Sequence, residues 1–437
     1  MYPAHFLRYC LAWLLVAGLL GAWPRLALAH PVPSSVVLLD IKSTGVGAEL
    51  QLPLGELQLA FGHDVALHPE TLVARLGPQL RAYIQAHVRP IGTDGRPWAV
   101  TVGALGIKAT EQSYTGPFQT LTAQLWLQPL AGTDSRTFTL HYDVIVHQVV
   151  THKTLVSIRQ DWDAGVVATQ PVEAGVIQLD PVNNVVPPLE IQQQGSWWRG
   201  FGSMVRLGMA HIAEGTDHLL FLLVLLLPAP LLVLGGRWAG FGGVRYSLGR
   251  VLRIVTAFTL GHSLTLLAGA VGWLRLPGQP VEALIAVSIL VGAVHAIRPL
   301  FAGREAYVAG GFGLVHGLAF ASTLAGLQLD ATRMGLSILG FNLGIELMQV
   351  VLIGVTMPWL WLLARTPTYA WLRPVGAGLT LVAALAWLTE RLSGQGNWLT
   401  GQLARATSYA PWLLAALVSL ALLSWWRARA TQPGEVA

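Results

Sequence analysis

The sequence predicts two unlike halves: a mainly β extracytoplasmic domain with one helix, followed by an all-α polytopic membrane domain of about seven transmembrane helices. Three observations carry this. Of 437 residues, 53% are hydrophobic and 11% charged, with mean hydropathy +0.55, whereas soluble chains carry about 25% charged residues. Beyond residue 200, apolar stretches of near-spanning length recur. Ahead of them, short runs of Val, Thr, Leu and Ile alternate with Gly, Pro and Asp. The net charge of +5, from 27 basic and 22 acidic residues, is arginine scattered between apolar segments. Such a pattern orients a chain in a lipid bilayer and excludes a nucleic-acid partner.

Residues 1–29 read as a signal peptide: Arg8, an apolar stretch from Leu11 to Leu20, then Ala27-Leu28-Ala29 as the small-residue cleavage site. The mature chain then starts at His30; an uncleaved anchor is the alternative, against which the short apolar stretch and the Ala-x-Ala end speak. The one cysteine, Cys10, leaves with the signal, so the mature protein has no disulfide and no thiolate ligand.

Residues 30–195 form the β-rich extracytoplasmic domain. Its strands are expected at 36–42, 48–53, 98–108, 118–128, 136–149 and 154–161, in an antiparallel sheet or small sandwich. Pro69-Glu70-Thr71, followed by Leu72, Leu76, Leu80, Tyr83 and Ile84, has helical spacing and inserts one helix. By strand parity His141, Asp143 and His147 share a face, with His152 just beyond, a candidate metal-collecting patch that a merely solvated polar face explains more cheaply. Trp197-Trp198 marks the membrane interface.

Residues 196–437 form the membrane domain, with spans at 209–233, 251–273, 280–297, 307–327, 335–358, 375–390 and 409–426. Starting from outside, the inner loops and tail hold Arg237, Arg245, Arg250, Arg253, Arg298, Arg304, Arg365, Arg373, Arg427 and Arg429. The outer side holds Arg199, Arg206, Arg275, Arg333, Arg391 and Arg405. Ten against six places the N-terminal domain outside the cytoplasmic membrane and the C-terminus in the cytoplasm.

The first span carries four metal-capable side chains: His211, Glu214, Asp217 and His218. On one continuous helix they fall within an arc of roughly 120°. Ionisable groups in hydrocarbon cost about 2.5–3.5 kcal/mol each and turn toward partners, water or an ion. Later spans add His262 beside Thr259, His316 beside the Gly313/Gly317 face, and an Asn342, Glu346, Gln349 stripe beside Gly340 and Gly344. Each imidazole has an interhelical hydrogen bond as its plain alternative, but a mid-membrane Glu346 must be protonated, paired or cation-bound. Glu282, Glu390 and His295 lie near span ends and are left outside the site.

His211-x5-Asp217-His218, then Gly261-His262-Ser263, His316-Gly317-x-Ala319 and Glu346, resembles the HupE/UreJ family of bacterial metal permeases, linked to nickel supply for hydrogenases and ureases. The resemblance covers residues 200–430. It implies that His211, Asp217, His218 and His316 handle the metal. The chain departs from the family pattern in two ways: Ala321-Ser322-Thr323 stands where the family has a carboxylate, and a large domain precedes the spans.

The leading expectation is a permease for a divalent transition-metal ion as substrate, nickel first and cobalt, zinc or copper next, using His211, Glu214, Asp217, His218, His262, His316 and Glu346. There is no ATP-binding P-loop. One alternative is an intramembrane zinc-dependent hydrolase with Asp217 or Glu214 as base, for which a compact three-ligand site would speak; a strung-out path would speak for the permease. Another is a membrane-tethered sensor or assembly factor.

Overall fold

The computed structural model describes residues 33–112, 116–167, 170–274 and 276–430. The signal peptide, Cys10, His30 and Arg275 lie outside them. The β region runs β1 (Ser35–Lys42), β2 (Gly45–Pro53), α1 (Leu54–Phe61), α2 (Pro69–His87), β3 (Val88–Gly92), β4 (Ala99–Gln112), β5 (Gly116–Gln128), β6 (Thr137–Tyr142), β7 (Lys153–Asp161), β8 (Val172–Gln178) and β9 (Leu189–Gln192).

A six-stranded sheet has the order β4-β5-β2-β1-β7-β8, and a three-stranded sheet the order β3-β6-β9. The expected all-antiparallel arrangement is corrected at one place, because β1 and β7 pair in parallel. More than a hundred residues separate those strands, so no hairpin constrains their direction. Alternation works as expected along β1, where Val37, Leu39 and Ile41 are buried and their neighbours less so. They meet Leu72, Leu80 and Ile84 from α2, the helix its spacing predicts, in one core that also takes Phe138 and Leu140 of β6.

The helical region comprises α3 (Trp197–Glu214), α4 (Thr216–Leu226), a hairpin of β10 (Leu231–Leu234) and β11 (Arg237–Phe241), then α5 (Val244–Ala270), α6 (Gly278–Ile297), α7 (Glu305–Gly326), α8 (Ala331–Leu363), α9 (Tyr369–Ser393), α10 (Trp398–Ala404) and α11 (Ala410–Ala430). Among the described residues six helices are long and apolar enough to cross a membrane, and α3 with α4 makes a seventh if the bent pair counts as one span. The chain is a multi-pass membrane protein.

The first span differs most from expectation. It starts at Trp197 rather than 209, breaks at Gly215 with a bend of 70°, and ends at Leu226 rather than 233. Gly215 has no room for a side chain, since a Cβ there would crowd the His211 carbonyl and the His218 ring. The apolar residues after Leu226 turn into the β10–β11 hairpin instead of extending the helix. Arg250, counted as a loop arginine, lies inside α5 and is buried. Its guanidinium donates to the carbonyls of Pro228 and Leu231 at 3.2 and 3.1 Å and pairs with Glu305 at 2.6 Å, which ties the hairpin to α5 and α7.

Two helix pairs approach backbone to backbone. Along α5 and α7, a methyl group on Gly313 or Gly317 would overlap the carbonyl of Phe258 or His262; along α3 and α8, one on Gly344 would overlap that of Val205. These are the small-residue faces read from the sequence.

The β region is seated on the helices by its β7–β8 connection. Trp162 enters an apolar cluster with Met204, Phe341 and Ile345, and its indole N–H donates to Ser337 Oγ at 2.8 Å. Arg333 forks onto Asp163 at 2.7 and 3.2 Å, and Gln160 donates to the Leu327 carbonyl at 2.8 Å. This fixes the β region to the ends of α3, α7 and α8.

Candidate metal site

The break at Gly215 converts a linear stripe into a pocket of ligands. His211 stays on the last turn of α3, while Asp217 and His218 occupy the first turn of α4. That position suits a carboxylate, because the free N–H groups of a helix start favour negative charge. The one-arc picture of a continuous helix is therefore corrected: Glu214, on the α3 side of the break with His211, is exposed.

Four imidazoles from four helices converge. The His211 and His218 rings are 4.5 Å apart, His218 and His316 5.3 Å, and His211 and His262 6.3 Å. Asp217, His218 and His316 each offer a ligand atom, all within 4.8 Å of one another. His218, His262 and His316 are buried, at 7%, 0% and 1% exposure. Phe221 and Phe258 pack on the His316 ring at 5.2 and 5.1 Å, and Phe320 and Phe341 on His211 at 5.0 and 5.3 Å.

In this apolar shell every imidazole keeps one nitrogen without a partner: His211 Nε2, His218 Nε2, His262 Nε2 and His316 Nδ1. Leaving a buried polar atom unsatisfied costs about 1–3 kcal/mol, and native structures hold few. Four such nitrogens, on two histidines grouped with the Asp217 carboxylate and two more close by, form a donor set that suits a borderline divalent cation, with imidazole nitrogen and carboxylate oxygen and no thiolate. The remaining nitrogens are engaged at His218 Nδ1 with Asp217 Oδ1 (3.0 Å), His262 Nδ1 with Asn342 Oδ1 (3.3 Å) and His316 Nε2 with Ser288 Oγ (2.9 Å).

Residues 188–391 match the family model described as HupE / UreJ protein. Over those residues the chain is similar to the HupE/UreJ family. No match was found among curated proteins or among solved structures.

Of the seven residues proposed from the sequence, the helical region brings five together: His211, Asp217, His218, His262 and His316. Glu214 and Glu346 stand apart. Glu346 is half-buried on α8 and makes no hydrogen bond or ion pair among the described residues, while Gln349 of the same stripe accepts from Thr259 Oγ1 at 3.3 Å. Ser288 was missed, and a single serine within Ala286-Val287-Ser288-Ile289 gives no signal in sequence. Asn342 was noted only as part of a stripe. Gly215 was a visible signal, as glycine inside an apolar run marks a break.

The histidine patch proposed for the β region is corrected as well. β6 ends at Tyr142, so strand parity does not reach Asp143 or His147. The chain turns there through Ile145 at φ 68°, and His147 stacks at 4.1 Å on His87, which bonds Asp143 at 2.8 Å. His152 is buried elsewhere, 2.8 Å from Ser35 Oγ and 3.6 Å from Glu56.

Proposed function

We propose that this protein is a permease that moves a divalent transition-metal ion, nickel first and cobalt, zinc or copper next, across the bacterial cytoplasmic membrane. The observation that carries the reading is the set of four buried, unpartnered imidazole nitrogens, with those of two of the histidines, His218 and His316, grouped with Asp217. In this reading residues 1–29 are a signal peptide, residues 30–195 lie outside, residues 196–437 form the membrane domain, and the C-terminus is cytoplasmic, as the arginine distribution supports. The ion meets His211 at the bend, is held by Asp217, His218 and His316, and passes His262. Glu214, exposed at the bend, and Glu346, one turn beyond Asn342, are stations outside the closed group. Beneath His218 a cavity of about 10 Å³ lies between Phe221, Leu225, Val255, Phe258 and Gln349, room for about one water.

The compact Asp217, His218, His316 group is the one observation that favours an intramembrane zinc hydrolase. Against it, Asp217 Oδ1 already bonds His218 Nδ1, and Glu214 is exposed at the bend and outside the group of Asp217, His218 and His316.

The test loads vesicles containing the full chain or His218→Ala with each of Ni²⁺, Co²⁺, Zn²⁺ and Cu²⁺ outside and measures uptake. The expected outcome is accumulation of at least one ion by the native protein and at least a tenfold lower rate in the variant. Equal uptake of every ion by both sinks the permease.

A further inference from the structure

We propose that Ser288 and Asn342 are positioning residues that fix the tautomers of His316 and His262, so that the cation meets Nδ1 of the first and Nε2 of the second. This deepens the permease reading and rests on it. A hydroxyl has one hydrogen, and that of Ser288 is committed to the Ile285 carbonyl at 2.7 Å. At 2.9 Å from His316 Nε2, Ser288 Oγ therefore accepts, so Nε2 bears the hydrogen. The lone pair of His316 is then at Nδ1, the atom left without a partner.

The same reasoning holds on α8. Asn342 Nδ2 donates to the Ile338 carbonyl at 2.9 Å, which turns Oδ1 toward His262 Nδ1. An amide oxygen only accepts, so His262 carries its hydrogen on Nδ1 and keeps its lone pair at Nε2, again the unpartnered atom. His218 is set alike by Asp217, which leaves Nε2 free. Three independent partners on three elements thus leave each free nitrogen in the state that can bind a cation. Metal-binding histidines are held in this way by a second partner, whose loss typically lowers affinity about ten- to hundredfold.

Without Ser288 Oγ, a buried His316 relieves its unsatisfied Nε2–H by turning or by moving the hydrogen to Nδ1, and either change removes a ligand. Loss of the Asn342 oxygen does the same to His262. The inference specifies a mixed nitrogen set, one Nδ1 with two Nε2.

The test titrates Co²⁺ into the detergent-solubilised full chain and follows its visible ligand-field absorption together with the melting temperature. Ser288→Ala and Asn342→Leu are each expected to weaken Co²⁺ binding ten- to hundredfold with a weakened or shifted absorption band. Ser288→Thr and Asn342→Asp, which keep an acceptor, are expected to restore binding to within about threefold. Native affinity in Ser288→Ala and Asn342→Leu overturns the inference, and so does weakened binding that neither rescue variant restores. His218→Ala separates the two readings: if it too binds Co²⁺ as the native chain does, the metal site itself fails; if it alone loses binding, only the role of Ser288 and Asn342 fails.

Discussion

At the scale of single residues, the same rule governs both halves of the chain: a buried imidazole is costly unless both nitrogens are served. In the β region His152 obeys it imperfectly, with Nε2 on Ser35 and Nδ1 unpartnered 3.6 Å from Glu56. Burial lowers the His152 pKa from 6.5 to about 4. Because the folded state resists protonation, the unfolded chain binds more protons below about pH 6.5. Stability is then complete above that pH and falls as pH drops toward 4, by about 3 kcal/mol. Burial raises the Glu56 pKa, an effect of opposite sign that offsets part of the loss. The melting temperature of the β region, followed by tryptophan fluorescence, is expected to fall between pH 6.5 and 4 in the native protein and to fall less in His152→Gln. Parallel profiles for the two would remove His152 as the cause. In sequence, His152 looked like an extension of a surface strand. Its burial depends on β7 pairing with β1, and no local pattern announces a parallel partner so far away.

At the scale of elements, the legible features were those written in local periodicity. The α2 spacing, the alternation along β1 and the later apolar spans all lie close to where the residues put them. What escaped notice depends on breaks and on tertiary partners. The span from Trp197 has polar and glycine-rich early turns, so hydropathy alone delayed its start to 209. Residues 227–233 are as apolar as a helix but fold back, because Arg250 supplies donors to the turn carbonyls. The sixth span was cut short at Pro374, although the helix begins at Tyr369 and Arg373 donates across to the end of α6 at Ile297. The small-residue faces were legible and carry a quantitative expectation. Gly344→Ala puts a methyl group against the Val205 carbonyl and forces α3 away from α8. Overpacking of this kind costs about 1–3 kcal/mol. A matched substitution at Gly354, which faces open space, is expected to cost far less. Unfolding in graded denaturing detergent compares them, and equal losses would contradict the packing assigned to the pair.

At the scale of the whole molecule, the two regions behave as one body at a particular seam. Trp162 fills a site roofed by Gly200, where any side chain would strike its ring, and Asp163 holds both Arg136 and Arg333. Removing a buried tryptophan side chain costs about 3–5 kcal/mol. Trp162→Ala is therefore expected to loosen the β region, read as faster protease cleavage between Gln192 and Ser196, with the α5 and α7 pair still intact. Unchanged cleavage would show that the polar contacts suffice. The seam also divides the ligands unequally. Trp162 and Arg333 grip the pair that carries His211, whereas the other glycine-sealed pair, α5 and α7, which carries His262 and His316, is held by Gln160 at the end of α7. A tilt of the β region is a lever on both jaws, with two grips on the α3 and α8 pair and one at the end of α7, and so bears on the distance from His211 to His262. A bulky ligand or antibody on the β region would act on the four imidazoles through those grips, without ever touching the bilayer.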